Sequence, residues 1–148
     1  MTENIQFYSV AYDVLPPEIG AQLSELTQQI FDMPLNKEKV NGKGACIVTY
    51  AIKDHAILGY KIGYPENDKR FYSWLGCVSP AARGKGVGRS LMDAQHQYCR
   101  KAGFTHVTTK TMNKWRNMLL LNIKSGFDVT GVSQDTKGEL KIHLAKAL

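Results

Sequence analysis

Three glycines alternate with basic and apolar residues in the segment Arg83-Gly84-Lys85-Gly86-Val87-Gly88-Arg89-Ser90. The stretch before it, Phe71–Val78, is rich in apolar and aromatic residues, as β-strands are. Apolar residues then recur at helical spacing from Val87 to Ala102. A glycine-rich turn that opens a helix leaves bare backbone N–H groups at the positive end of the helix dipole, where anions bind. Two arginines and a lysine add positive charge, so the segment predicts a phosphate or pyrophosphate site.

Two well-known phosphate loops do not fit this segment. The P-loop pattern fails because Gly84 and Gly88 lie too close together in the sequence. The dinucleotide pattern Gly-x-Gly-x-x-Gly fails because its third glycine would fall on Arg89 or Leu91. What remains is Arg-x-x-Gly-x-Gly, beginning at Arg83. The alternative interpretation is a glycine-rich turn that only packs tightly between a strand and a helix.

A second pattern follows the first predicted helix of this half of the chain. Thr105–Thr111 is rich in β-branched residues and predicts a strand, after which a helix is predicted at about Lys114–Lys124. That helix closes in Gly126-Phe127, where Gly126 suits the left-handed conformation that ends many helices. Phe127–Val132 predicts the next strand.

In this order and at this separation, the two patterns resemble those of the GNAT N-acetyltransferase superfamily. Its acyl-CoA loop reads Gln/Arg-x-x-Gly-x-Gly/Ala, and its last helix closes in Gly-Phe. The resemblance covers about Arg70–Leu148 well, and the N-terminal half only by layout. It implies that acetyl-CoA is the co-substrate and that Arg83–Ser90 binds its pyrophosphate. It also implies that the backbone of Cys77 and Val78 pairs with the pantetheine amides, as an added strand pairs with a sheet edge.

The chain departs from this family at the general acid. Many members carry a tyrosine on the last helix, four residues before the glycine of Gly-Phe, and this chain has Asn122 there. An amide cannot release a proton as a phenol does, but Asn122 can donate a hydrogen bond to the thioester sulfur or to pantetheine. Asn113 and Asn117 either cap the start of this helix or reach the cofactor, and we expect capping by at least one of them.

No general base can be identified in the strand before the loop. Besides Cys77, Tyr72 is the only titratable residue in Phe71–Val78, so Tyr72 and Asn122 are the candidates for catalytic roles. Each has an ordinary structural interpretation beside it, Tyr72 as a packing residue and Asn122 as a helix residue bonded to nearby backbone. A covalent acyl-cysteine at Cys77 is a further alternative, against which family precedent favours direct transfer.

The composition is typical of one globular domain, predicted to span residues 1–148. Hydrophobic residues make up 43% of the chain, and no apolar run approaches the ~20 residues of a membrane span. The N-terminus lacks the pattern of a secretory signal. The three cysteines are odd in number and widely spaced, which predicts reduced thiols in a cytoplasmic protein and no metal site. The net charge of +6 is spread along the chain apart from the glycine-rich segment, so neither a nucleic-acid nor a membrane partner is expected.

The remaining patterns predict the scaffold that positions these residues. Pro16-Pro17-Glu18 opens a helix that Met33-Pro34 ends, and Asn36–Gly44 reads as a loop. Further strands are predicted at Gln6–Tyr12, Ala45–Ile52, Ile57–Tyr64, Arg70–Val78 and Leu140–Leu144. The resulting order, β-α-β-β-β-α-β-α-β-β, predicts an α/β (α+β) fold with a mixed, mostly antiparallel central sheet flanked by helices.

The expected function is therefore transfer of an acetyl group from acetyl-CoA to a primary amine, by direct attack in a ternary complex. The acceptor is a small-molecule or a peptide amine, and the sequence does not choose between them. Two alternatives stay open: a non-catalytic acyl-CoA sensor, and a basic nucleic-acid-binding domain with salt-dependent binding. The superfamily resemblance also allows a homodimer.

Overall fold

The computed structural model describes residues 4–148 and contains a seven-stranded mixed sheet. The strands are β1 (Gln6–Tyr12), β2 (Cys46–Lys53), β3 (Ala56–Pro65), β4 (Arg70–Val78), β5 (His106–Thr111), β6 (Asp128–Gln134) and β7 (Leu140–Ala147). The helices are α1 (Pro17–Phe31), α2 (Lys37–Asn41), α3 (Val87–Lys101) and α4 (Arg116–Lys124), with a short 3-10 turn at Pro80–Ala82. The strand order is β1-β2-β3-β4-β5-β7-β6, with β4 and β5 parallel and the pairs β1–β2, β2–β3, β5–β7 and β6–β7 antiparallel. This mixed, mostly antiparallel sheet with its helices confirms the predicted fold class.

The chain folds into two compact units. Among the described residues, the first consists of 4–64 together with Leu75–Tyr98, and the second consists of Pro65–Trp74 and Cys99–Leu148. The glycine-rich segment therefore belongs to the first unit, and the predicted asparagines of the last helix belong to the second. A single domain over residues 1–148 stays a prediction.

In the first unit, helices α1 and α3 cover opposite faces of the antiparallel strands. Thr27 of α1 contacts the hydroxyl of Tyr60 on β3, whereas Leu91 of α3 reaches the neighbouring Gly59, where a Cβ would lie 3.1 Å from its Cδ1. Neighbouring residues of a strand point to opposite faces, so the two contacts lie on opposite sides of the sheet. Leu23 on α1 and Leu91 on α3 are fully buried, as their helical spacing predicts.

One predicted loop is wrong, because the polar segment Asn36–Gly44 contains helix α2. The side chain of Asn36 accepts a hydrogen bond from the Lys39 backbone N–H at 3.0 Å, which is an N-cap. The helix is only one turn long, and Val40 is its single buried residue. So short a helix has no apolar periodicity to detect, and its cap was the one available signal.

In the second unit, the end of α4 has the geometry that Gly-Phe predicts. Gly126 has a φ of +101°, a left-handed value that favours glycine. The Phe127 N–H donates to the Asn122 carbonyl at 3.0 Å, and the Gly126 N–H donates to the Ile123 carbonyl at 3.1 Å. This pair of bonds is the Schellman motif, and the hydrophobic residue that follows, Phe127, is buried. The predicted helix end is confirmed.

Candidate functional site

The glycine-rich segment forms a turn with a left-handed backbone that favours glycine at two positions. After the Pro80–Ala82 turn, Gly84 and Gly86 adopt φ values of +79° and +76°. A Cβ at either position would meet nothing within 4 Å, so the backbone conformation, and not a lack of space, favours glycine there. The sequence pattern therefore marks a left-handed backbone conformation next to open space. In a turn that served only for tight packing, neighbouring atoms would fill this space.

The turn leads directly into the N-terminus of α3. The first intrahelical bond runs from the Ser90 N–H to the Gly86 carbonyl at 3.0 Å. The N–H groups of Val87, Gly88 and Arg89 therefore lie ahead of the helical ladder, at the positive end of the helix dipole. The Val87 side chain is buried and fixes this end of the helix in the core.

Three basic residues lie on this turn and on the first turn of α3. Arg83 and Lys85 are exposed, and Arg89 is exposed while its Nε lies 3.4 Å from Asp93 Oδ1. An exposed pair of this kind stabilises little, so Arg89 remains available to another anion. The predicted residues Arg83–Ser90 thus lie together on one turn within the first unit, and anion binding by this turn stays a prediction.

The end of β4, which enters this turn, lies unusually close to β3. The Ser79 N–H donates to the Leu58 carbonyl at 2.7 Å. A Cβ on Gly59 would lie 3.0 Å from the Cys77 carbonyl oxygen and 3.3 Å from Val78 Cα. The Cys77 carbonyl therefore points towards β3. Because neighbouring residues of a strand turn their backbone groups to opposite edges, Val78 turns its own groups away from β3.

The side chain of Cys77 is buried and protonated. Desolvation by burial raises the pKa of this thiol to about 11, although a hydrogen bond with Tyr60 and the nearby charge of Arg83 act in the opposite direction. Since the thiolate is the nucleophilic form, a thiol with this pKa is almost unreactive at neutral pH. Its burial and raised pKa therefore favour the structural interpretation of Cys77 over an acyl-cysteine.

The three asparagines lie in the second unit, and one expectation about them is wrong. The N-cap of α4 is Trp115, with no side-chain cap hydrogen bond, so neither Asn113 nor Asn117 caps the helix. The helix starts at Arg116, two residues later than predicted, which places Asn117 inside its first turn. Both side chains are exposed, whereas Asn122 is buried. Their predicted contact with the cofactor stays a prediction.

Tyr72, the other catalytic candidate, is a half-buried residue of β4 in the second unit. Its ring is 5.5 Å from Lys110 Nζ, and it helps to line a cleft of about 300 Å³. Glu66, whose carboxylate accepts a short hydrogen bond from Thr108, and His143 line the same cleft. Sequence reasoning missed these neighbours because residues on different strands meet there only through the sheet register.

Two further observations concern the described part of the chain. Among residues 4–148 no group of three or more His, Cys, Asp or Glu side chains is placed to hold a metal ion. No helix in this range is both long enough and apolar enough to span a membrane.

Comparison with known proteins agrees with this fold. The model of the family described as acetyltransferase (GNAT) family matches residues 9–117. No curated protein matches the sequence. The fold is similar to solved structures throughout: a GCN5-related N-acetyltransferase from Kribbella flavida has a TM-score of 0.78 and 19% identity, covering 100% of each chain.

Two other similar structures carry more specific descriptions. A GNAT family acetyltransferase from Elizabethkingia anophelis with acetyl-CoA bound has a TM-score of 0.74 and 16% identity, covering 99% of each chain. The ribosomal-protein-S18-alanine N-acetyltransferase from Escherichia coli has a TM-score of 0.78 and 14% identity, covering 95% of this chain and 94% of that one. At these identities the likeness shows the fold.

Proposed function

The chain belongs to the acetyltransferase (GNAT) family, and from that premise we propose that it transfers the acetyl group of acetyl-CoA to a primary amine by direct attack in a ternary complex. The observation that carries the proposal is the turn at Arg83–Ser90, with its left-handed glycines and its free helix N-terminus. The family uses acetyl-CoA as co-substrate, and this turn supplies what a pyrophosphate needs.

Both the backbone and the side chains of the loop bind acetyl-CoA. The N–H groups of Val87, Gly88 and Arg89 donate to the pyrophosphate, because they have no partner within the helix. Arg83 and Lys85 supply the charge that a diphosphate and a 3′-phosphate require. This fit depends on the left-handed backbone conformation of Gly84 and Gly86, beside which the space is empty.

The pantetheine arm binds the backbone at the end of β4. Val78 is the better placed of the two predicted residues, because the Cys77 carbonyl points towards β3. By the same alternation Gly76 turns its backbone groups away from β3, and we add it to the predicted pair. A ligand with amide groups can then pair with this strand as an extra strand would.

The reaction needs little acid catalysis from the protein. The neutral amine attacks the thioester carbonyl, the C–N bond forms as the C–S bond breaks, and the amine proton passes to water. A thiol with an ordinary pKa of about 8.5 is a fair leaving group without a phenolic acid. Asn122 takes the place of that acid as a hydrogen-bond donor, and Tyr72 remains a candidate for contact with the acceptor.

A serine in place of Cys77 tests the direct route. Because the mechanism forms no acyl-cysteine, we expect Cys77→Ser to keep kcat within about threefold of the wild type. An obligatory nucleophile would instead lose several orders of magnitude in rate. Turnover is measured with acetyl-CoA and an accepted amine, and intact-protein mass spectrometry checks for an acetylated chain. A covalent acetyl group on Cys77 in the wild type would contradict the direct route.

Calorimetric titration with acetyl-CoA tests the proposed function, with ATP and NAD as controls. We expect acetyl-CoA alone to bind tightly, and release of CoA to require an amine from a panel of polyamines, amino acids, aminoglycosides and peptides. Absence of acetyl-CoA binding would overturn the proposal. Binding without turnover on any amine favours the second candidate, a non-catalytic acyl-CoA sensor, which Asn122 in the place of the usual tyrosine supports.

Acceptor class, homodimerisation and a cytoplasmic location remain predictions. The family acts on amine acceptors, and one structural relative is described by a protein substrate, the alanine of a ribosomal protein. That description belongs to the relative. The amine panel, extended with peptides that begin with different residues, decides between small-molecule and peptide acceptors for this chain.

A further inference from the structure

Lys61 on β3 is a buried cation without a counter-charge. The residue is 8% exposed, and its side chain lies on the same face of β3 as Gly59, which Leu91 of α3 reaches. Among residues 4–148 its ammonium group has neither an ion pair nor a hydrogen bond. A buried charge of this kind costs stability, so the packing of the core does not explain why a lysine stands there.

The groups around Lys61 do not neutralise its charge. Thr49 stands opposite it on β2 and Gly76 lies beside it on β4, and neither carries a charge. Of the buried residues of α3 only His96 and Cys99 titrate, and burial raises the pKa of the Cys99 thiol to about 12. Desolvation lowers the pKa of the Lys61 ammonium group to about 8, so most molecules still carry this charge at pH 7.

The stem of Lys61 packs against the strand assigned above to pantetheine. A Cβ on Gly76 would lie 3.2 Å from Lys61 Cγ and 3.6 Å from Lys61 Cα, so the lysine stem fills the space that a side chain at position 76 would need. Three further bonds separate Cγ from the ammonium group, and an extended lysine side chain is longer than the ~4.8 Å between neighbouring strands. The ammonium group therefore has the reach to pass β4 to the edge that pairs with pantetheine.

The order of groups in acetyl-CoA brings its sulfur to the same level. The pyrophosphate is assigned to Arg83–Ser90, after the end of β4, and the pantetheine amides are assigned to Val78 and Gly76. The sulfur follows the second amide by two methylene groups, so it falls within about one residue of Gly76 along the strand. The assigned position of the thioester and the stem of Lys61 therefore share one glycine, within the first unit.

We infer that Lys61 is a catalytic residue: its ammonium group donates a hydrogen bond to the sulfur of acetyl-CoA and stabilises the thiolate that forms there. As the amine attacks, the C–N bond forms, the C–S bond breaks, and its electron pair passes to the sulfur beside the Lys61 charge. The amine proton passes to water, as in the proposed function on which this inference rests. A preorganised charge in a site of low dielectric favours a developing anion. The thiolate is then the counter-charge that the folded chain lacks.

Lys61→Met tests this role, because methionine keeps an unbranched stem and removes the charge. We expect kcat with acetyl-CoA and an accepted amine to fall about 30-fold, which is the loss of one hydrogen bond to a charged group. The calorimetric Kd for acetyl-CoA should stay within about threefold of the wild type, because the lost interaction becomes strong only as the thiolate forms. A weaker Kd with an unchanged kcat would place Lys61 in substrate binding and overturn the inference.

Lys53→Met is the matched control for losing a lysine of the same sheet. Lys53 is the last residue of β2 and is half-buried. We expect this variant to keep kcat and the Kd for acetyl-CoA within about threefold of the wild type. An equal loss of kcat in both variants would mean that the position of Lys61 has no special effect on the reaction, which overturns the inference.

Titration of bound CoA gives a readout that a structural role would not change. Thiolate formation is followed by its ultraviolet absorbance, and burial raises the pKa of each protein cysteine out of the way. Because a neighbouring cation favours the anion, we expect the pKa of the CoA thiol to be about 7.5 or lower on the wild type, and about 8.5 or higher on Lys61→Met. A CoA thiol pKa of about 8.5 or higher on the wild type would refute the role of Lys61, whether or not the variant folds.

The behaviour of the wild type separates this inference from the proposed function. If the wild type binds CoA but transfers acetyl groups to no amine of the panel, the proposed function falls, and the thiol titration still decides whether Lys61 stabilises the thiolate. If the wild type binds neither CoA nor acetyl-CoA, both fall together. Turnover by the wild type with an unchanged kcat in Lys61→Met overturns the inference alone.

Discussion

Substitution of Gly86 by glutamate is expected to weaken acetyl-CoA binding about 100-fold. Gly86 has a φ of +76°, and a residue with a Cβ pays roughly 1–2 kcal/mol for that conformation. Without ligand, the loop of the variant relaxes out of the left-handed conformation. Binding of acetyl-CoA must restore that conformation, so the cost appears in the binding free energy. The new carboxylate also repels the pyrophosphate, which costs about a further 1 kcal/mol at a surface site. Together these terms approach the ~2.7 kcal/mol that corresponds to 100-fold.

Two variants separate the contributions, with calorimetric Kd as the measurement. Gly86→Ala brings the backbone cost without the charge, so we expect a loss of about tenfold. Gly44→Glu introduces the same side chain at another left-handed glycine of the first unit, with φ +88° and nothing within 4 Å of its Cβ. It should lose stability but bind acetyl-CoA as the wild type does. A wild-type Kd in Gly86→Glu would mean that the loop does not bind the pyrophosphate.

The features that the sequence predicts well are those in which one residue type has one physical meaning. The left-handed Gly126 and the glycine-rich turn at Arg83–Ser90 belong to this class, because glycine marks a backbone path that other residues avoid. The order of strands β2, β3 and β4 is also predicted from local sequence, because short turns join consecutive strands. Local chemistry therefore predicts the fold class and the turn of the candidate site.

What the sequence could not predict depends on contacts between distant residues. The hydrogen bond between the Thr27 and Tyr60 hydroxyls joins a helix to a strand 33 residues further along the chain, and each residue alone is typical of an ordinary core position. Helix α2 was missed and the start of α4 was misplaced for another reason: asparagine serves equally in caps, turns and binding sites, so its presence does not by itself mark a helix start.

Lys61 on β3 is the least expected residue of the core. It is 8% exposed and stands opposite Thr49 in the register with β2. Its stem packs beside β4, where a Cβ on Gly76 would lie 3.2 Å from Lys61 Cγ. Within the described chain no carboxylate forms an ion pair with it. Desolvation by burial lowers the pKa of its ammonium group to about 8, from 10.5.

This pKa means that Lys61 destabilises the folded state at neutral pH. The unfolded chain binds the proton more tightly than the folded chain does, so the free energy of unfolding rises with pH between about 8 and 10.5. Below pH 8 the full penalty is present, roughly 3 kcal/mol at 1.36 kcal/mol for each pH unit of the difference. Burial raises the pKa values of Tyr60, Cys77 and Cys99. These groups act in the opposite direction to Lys61, because their contribution to the free energy of unfolding falls as the solution becomes alkaline.

Lys61→Met is therefore expected to stabilise the protein by roughly 3 kcal/mol at pH 7, because methionine keeps an unbranched stem and removes the buried charge. The free energy of unfolding is measured with urea for the variant and the wild type at each pH. Because both proteins share the titration of the tyrosines and cysteines, this titration cancels in the difference. The difference in the free energy of unfolding should shrink steadily above pH 8 and vanish near pH 10.5. Lys53→Met, on the neighbouring strand, serves as control and should change stability by no more than about 0.5 kcal/mol at any pH. A Lys61→Met variant that is no more stable than the wild type at pH 7 would show that the ammonium group reaches solvent, since only a hydrated charge carries no desolvation cost.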